Sequence, residues 1–156
     1  MTTAARFVCA TAGRSHVAFA IDSVQEVLAP RAITRLFHTP PSLLGVVNLR
    51  GEILPVVDLA QLVGDEPSPT TLSADARLIV LRIPTGEAQH ARIAPLAVLV
   101  AHLDALRDGE ISELPPGVPE LAARLSSGIV ATPSPAVLAI DVEKLAAVEE
   151  LASMRA

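Results

Sequence analysis

Apolar side chains in this chain fall mostly on every second residue, in short runs separated by Gly, Pro, Ser and Asp. That spacing predicts strands, because alternate residues of an extended chain share one face. Arg6–Ala12 and His16–Ile21 read as two strands joined at Gly13-Arg14-Ser15, with Val17, Phe19 and Ile21 on one face. Asp22-Ser23 is a turn signal, and Val24–Leu28 is a short extended piece ended by Pro30. Ile33–Phe37 is another, stopped by Thr39-Pro40-Pro41, after which Ser42 is placed to cap one helical turn. Val46–Leu49 and Ile53–Leu59 form strands around a tight turn at Arg50-Gly51-Glu52, with Pro55 marking an edge or bulge position. Residues 65–75, DEPSPTTLSAD, carry few apolar side chains and are expected to be a flexible loop and the joint between two halves.

The second half continues the pattern. Arg77–Ile83 is a strand, Pro84-Thr85-Gly86 a turn, and the apolar run Ala91–Leu103 one strand or two. Leu106–Pro116 reads as a polar connection and Pro119–Leu125 as a short helix. Gly128–Thr132 and Val137–Ile140 bracket a Thr-Pro-Ser-Pro turn that holds Pro133 and Pro135. Asp141 is placed to cap a C-terminal helix with Leu145, Val148 and Leu151 on its apolar side. Many short strands, regular punctuation and one terminal helix predict a mainly β protein of two small barrels. No internal repeat is visible.

Composition narrows the function. Hydrophobic residues are 51% of the 156, enough for a sizeable core, while three Phe and no Trp or Tyr make that core aliphatic. Stacking platforms for bases or sugars are therefore scarce. A net charge of −5, with no basic cluster, argues against nucleic acid and anionic membrane surfaces as partners. No run is long enough for a signal peptide or a membrane span, so no direct membrane insertion is expected and cytoplasmic residence is the default. The lone Cys9 excludes an intrachain disulfide and lies in an apolar run.

Little here reads as catalytic chemistry. His16, His38, His90 and His102 are isolated in sequence, so a metal site is not expected. No phosphate-binding glycine motif and no nucleophile-elbow motif occurs. A small hydrolase or ligand-binding barrel would have to use Asp22, Glu26 and Asp58, the acids embedded in apolar segments. The segment LLGVVNLRGEILPVVDL, from Leu43 to Leu59, sets Arg50 at a hairpin tip among aliphatic residues. Two readings stand: an interaction hot spot, or a solvated turn arginine.

The same residues carry a resemblance. Gly45-Val46-Val47-Asn48-Leu49-Arg50-Gly51, followed by Ile53-Leu54-Pro55-Val56-Val57-Asp58-Leu59, resembles the CheW-like signature G-V-x-N-L-R-G-x-I-x-P-V-x-D-L. Val24-Gln25-Glu26-Val27 resembles that family's V-x-E-V element. The resemblance is specific over the first 64 residues and thin after residue 84. It implies one CheW-like domain over residues 1–156, built of two intertwined five-stranded SH3-like barrels with a hydrophobic seam and a short C-terminal helix. One lobe would span about 14–76; the other would take 1–13 and 77–156. It implies a non-catalytic adaptor without a cofactor. The implied partners are the cytoplasmic tip of a methyl-accepting chemoreceptor and the regulatory domain of a CheA-type histidine kinase. Val24, Glu26 and Arg50 match positions associated with receptor coupling or array signalling, and Val46, Asn48 and Gly51 belong to the same protein-binding set. Glu26 either faces a partner or pairs with Arg50 and fixes the loop.

The second half departs from the family pattern. Val98 and His102 stand where acidic residues are expected, Pro95 falls within an expected strand, and Pro133 and Pro135 crowd the last hairpin. These departures imply a weakened or altered kinase contact beside a retained receptor contact.

Overall fold

The computed structural model describes residues 5–85, 92–131 and 136–148. Twelve described strands form two sheets, each with five longer strands and one of two residues. The terminal sheet holds β1 (Ala5–Ala12), β2 (Ser15–Ala20), β9 (His102–Gly109), β10 (Ile111–Ser112), β11 (Ser126–Val130) and β12 (Val137–Ile140), in the order β10-β11-β12-β2-β1-β9. The central sheet holds β3 (Val24–Leu28), β4 (Thr34–Arg35), β5 (Leu43–Leu49), β6 (Glu52–Asp58), β7 (Arg77–Thr85) and β8 (Arg92–Val100), in the order β3-β7-β8-β6-β5-β4. Three short helices complete it: α1 (Leu59–Leu62), α2 (Glu120–Ala123) and α3 (Val142–Ala147).

The strands divide between the sheets differently from the expected lobes. β7 and β8 pair with β3 and β6 in the central sheet, while β2 pairs with β1 and β12 in the terminal one. Residues 65–75 therefore link two strands of one sheet and are not the joint between halves. The crossings are the 3-10 turn Ile21–Ser23 and the single residue Ala101. The described part of that apolar run, residues 92–103, is accordingly two strands in two sheets. The expected helical turn at Ser42 is a turn leading into β5, and the polar stretch after Leu106 is largely strand. Gly86, Leu151 and the Thr-Pro-Ser-Pro turn, with Pro133 and Pro135, lie outside the described residues.

Period two explains the packing. On β7, Leu78 and Val80 face the interior of the central sheet; on β8, Ala97 and Leu99 do the same. Ile79, Leu81 and Ile83, with Leu96, Val98 and Val100, point the other way, against Val8, Ala10, Val17 and Phe19 of the terminal sheet. Phe7, Cys9, Ala18 and Ala139 fill the terminal sheet's own interior. Strands apolar on both faces lose the polar alternation that would mark a half-exposed sheet, which is why the 91–103 run resisted assignment. The seam is the largest apolar cluster among the described residues, and Leu59 and Leu62 of α1 and Leu145 of α3 complete it. Each fully buried Leu or Phe contributes about 1.5–3 kcal/mol. The contact between the sheets thus stabilises the fold more than either small interior does.

A repeat absent from the sequence appears in the topology. Apart from α2, which lies between β10 and β11, β4-β5-β6-α1 and β10-β11-β12-α3 are built alike: a two-residue edge strand, an antiparallel pair, then a helix. The last strand of each pairs in parallel with a strand of its sheet, β6 with β8 and β12 with β2. Each unit has a bulge beside a glycine, Gly45 at φ 155° and Gly128 at φ 154°. A Cβ on Gly45 would lie 2.0 Å from the Thr34 carbonyl oxygen, and one on Gly128 2.1 Å from that of Ser112. Both positions need a residue without a side chain.

Candidate functional site

The hairpin β5–β6 closes in the smallest available way. Leu49 pairs with Glu52, leaving Arg50 and Gly51 as the two loop residues, with φ of 51° and 87°. Two positive φ angles make the type I′ turn whose twist suits a hairpin, a setting that favours Asn or Gly over Arg. Asn48 braces the turn: its side-chain oxygen accepts from the Gly51 N–H at 2.8 Å.

Arg50 is held in this conformation by Glu26. Its Nη1 donates to Oε1 at 3.2 Å and its Nη2 to Oε2 at 2.5 Å, a two-pronged, charge-assisted contact. The Arg50 hydrogen bond is the main reason the Glu26 carboxyl sits below the usual carboxylate range, with Gln25 and the charge of Arg31 adding to it. Arg50 is shifted upward by the same hydrogen bond. The pair is open to solvent, Arg50 at 69% and Glu26 at 25% side-chain exposure. Its weight in stability is therefore small, and its effect is to fix a guanidinium at the hairpin tip. Of the two readings of Glu26 left open by the sequence, pairing with Arg50 is the one observed.

A bulge decides which neighbours Glu26 has. Val24 pairs with Leu81 and Glu26 with Val80, so two residues of β3 face one step of β7. Val24 is thereby turned to the seam, where it packs half-buried, although it lies two residues from Glu26. Simple alternation would have put the two side chains on one face. Val46 and Asn48 lie opposite Pro55 and Ile53 on the outer face of the β5–β6 pair. Glu26, Asn48, Arg50 and Gly51 thus form one surface, Val46 lies on the outer strand face, and Val24 is apart. Sequence reasoning missed two neighbours. Ile53 is 59% exposed opposite Asn48, and Arg31 donates to the Asn48 carbonyl at 3.2 Å. Counting outward from the buried Leu54 would have found Ile53.

The hydrolase alternative is contradicted. Asp58 is fully buried and saturated: Oδ2 accepts from Gln61 Nε2 at 3.0 Å and from the Ser68 N–H at 2.8 Å, and Oδ1 from Ser68 Oγ at 2.6 Å. It ties the 65–75 strap to the end of β6. Asp22 sits in the exposed 3-10 turn, and Glu26 is taken by Arg50. The three acids sit in three settings and do not converge as an acid–base pair requires. The clefts beside the strap are lined by none of them.

The histidines are less scattered than their sequence positions imply. Asp104 is skipped by the β1–β9 register, and its carboxylate meets His102 Nδ1 at 2.7 Å and His16 Nδ1 at 3.8 Å. Thr11 Oγ1 donates to the same carboxylate at 3.1 Å. Still, no group of three His, Cys, Asp or Glu among the described residues is placed to hold a metal. No described helix is long and apolar enough to cross a membrane.

The second-half departures also have structural answers. Val98 is fully buried in the seam, so its apolar side chain answers to packing and not to any partner. Pro95 lies where β8 has only β7 beside it, because β6 joins from Ala97 onward. A strand with an open side tolerates a proline.

Comparison with known proteins agrees with this geometry. A CheW-like domain model matches residues 6–150. A chemotaxis protein CheW of Klebsiella aerogenes is 28% identical over 152 residues, 97% of this chain and 87% of that protein. A probable chemotaxis protein CheW of Rhizobium etli is 29% identical over 125 residues, 80% of this chain and 76% of that protein. Among solved structures, the scaffolding protein TtCheW of Thermoanaerobacter tengcongensis superposes with a TM-score of 0.74 at 25% identity, covering 95% of this chain and 96% of its own.

Proposed function

The chain belongs to the CheW-like domain family, a family of non-catalytic chemotaxis scaffolds, and from that premise we propose that it couples the cytoplasmic tip of a methyl-accepting chemoreceptor to a CheA-type histidine kinase. Cytoplasmic residence within a receptor array follows from that role. The observation that carries the proposal is the guanidinium of Arg50, fixed at an exposed hairpin tip by Glu26 and bordered by Asn48 and the exposed Ile53. A rigid cation beside aliphatic surface suits the face of an amphipathic helical hairpin, which presents apolar side chains with acids at their margin. Val46 and Gly51 contribute the strand face and the turn that hold this surface.

An altered kinase contact stays within the proposal. Its support is His102, exposed at the start of β9 and paired with Asp104; Val98 gives it none. The test is a pull-down of receptor-tip and kinase-regulatory fragments by wild type and by Arg50→Glu. Loss of receptor capture in the variant supports the coupling role, and undiminished capture overturns it. Equal, strong kinase capture by this chain and by a relative with acids at the positions of Val98 and His102 removes the altered contact alone.

A further inference from the structure

A cleft on the far side of the central sheet has the opposite electrical character to the chain as a whole. It encloses about 410 Å³ between the Pro30–Ile33 segment and the 65–75 strap. Its floor is aliphatic, formed by Ile33, Leu44, Leu72 and Leu99. Three of these, Ile33, Leu44 and Leu72, are half-buried side chains resting on the central sheet's interior. Arg31 and Arg35 line the same cleft, and no carboxylate does. Neither arginine is ion-paired among the described residues. Arg31 donates to the backbone at Asn48, and Arg35 sits on β4, the two-residue edge strand of the sheet. In a protein of net charge −5, an aliphatic floor under two guanidinium groups that stand outside any described ion pair calls for a ligand with carboxylates above apolar side chains.

We propose that this cleft docks an acidic, aliphatic segment of a partner protein in extended form. Alternation places one set of side chains on the floor and the other at the arginine rim, and the sheet edge at β4 lies alongside. The strap forms the opposite wall, through Pro69 and Thr70, and is anchored there by the Asp58–Ser68 bonds. The inference does not rest on receptor–kinase coupling: of the lining residues Arg31 alone reaches the hairpin-tip site, through the Asn48 carbonyl, and the test varies Arg35 and Thr70 instead.

The test uses a fluorescein-labelled octapeptide of alternating Glu and Leu, read by fluorescence anisotropy against the full chain. Saturable binding is expected, weakened roughly tenfold by Arg35→Glu, since one charge-assisted contact is lost. Thr70→Glu, on the other wall, is expected to weaken it as well, with circular dichroism and melting temperature confirming that both variants fold. A Lys–Leu peptide is expected not to bind the wild type. Absence of saturable binding, or equal affinity in Arg35→Glu, overturns the proposal. Displacement of the peptide by succinate at matched carboxylate concentration also overturns it, by assigning the cleft to a small dicarboxylate. Because the probe contains no receptor or kinase sequence, its failure and a failure of the coupling role are read separately.

Discussion

The two repeated units each place an aspartate between their last strand and its helix, and they use it differently. Asp141 caps α3, its Oδ1 accepting from the N–H groups of Glu143 at 2.9 Å and Lys144 at 3.3 Å. Asp58 holds the equivalent place before α1 but makes no capping bond. Its carboxylate turns inward to the strap and to Gln61. The same residue type at the same topological point thus starts a helix in one unit and pins a loop in the other. The difference teaches that a repeated backbone does not fix side-chain duty, which is set by what the chain does next. After α1 comes a long polar strap whose backbone needs an anchor.

The comparison can be broken first at its glycines. Gly45→Ala and Gly128→Ala should each destabilise by about 3 kcal/mol or more, from a strained φ plus a forced shift of the facing backbone. Matched losses in chemical denaturation are expected, and a large loss at one site with tolerance at the other would deny that the units are equivalent. Next come the aspartates. Asp58→Ala should cost about 2–3 kcal/mol, because charge-assisted bonds to a buried carboxylate are lost together, and should raise proteolytic nicking within 65–75. Asp141→Ala should cost about 1 kcal/mol, the usual value of an N-cap, without exposing the strap. Equal costs, or unchanged nicking in Asp58→Ala, would erase the distinction.

The smallest effect concerns the exposed hairpin tip. The Glu26 carboxyl lies below its ordinary value of 4.5 because Arg50 favours its charged form. The stabilisation from this pair is therefore fully present above that ordinary value and is lost as pH falls through the lower, folded value. Arg50→Ala should let the Glu26 titration, followed by NMR, move back up toward 4.5 with no measurable change in melting temperature. A titration that stays put would show that Arg50 is not the cause.

Much of this is legible in the sequence. Alternation located most strands, the Asn48–Gly51 signature located the hairpin, and Asp141 announced its helix. Three things were hidden, each for a physical reason. Ala101 carries the chain between sheets in one step, so a mostly apolar run conceals a change of partner. The bulge at Gln25 reverses facing between Val24 and Glu26, which no period-two count detects. The division into sheets is hidden because β7 and β8 are apolar on both faces, and side-chain character then names no neighbour. The link between Arg50 and Glu26 could be only one of two readings, since a charge pair 24 residues apart depends on strand pairing that composition does not encode.

The seam has a mechanical corollary. Ile79, Leu81 and Val98 are at once structural members of one sheet and the bearing surface for the other. With β8 running into β9 through a single residue, neither sheet can swivel without shearing that interlocked layer. A push delivered at the Arg50 tip would move the molecule as a solid block, like force along a shaft. Whatever grips the far end would feel a displacement and not a change of shape.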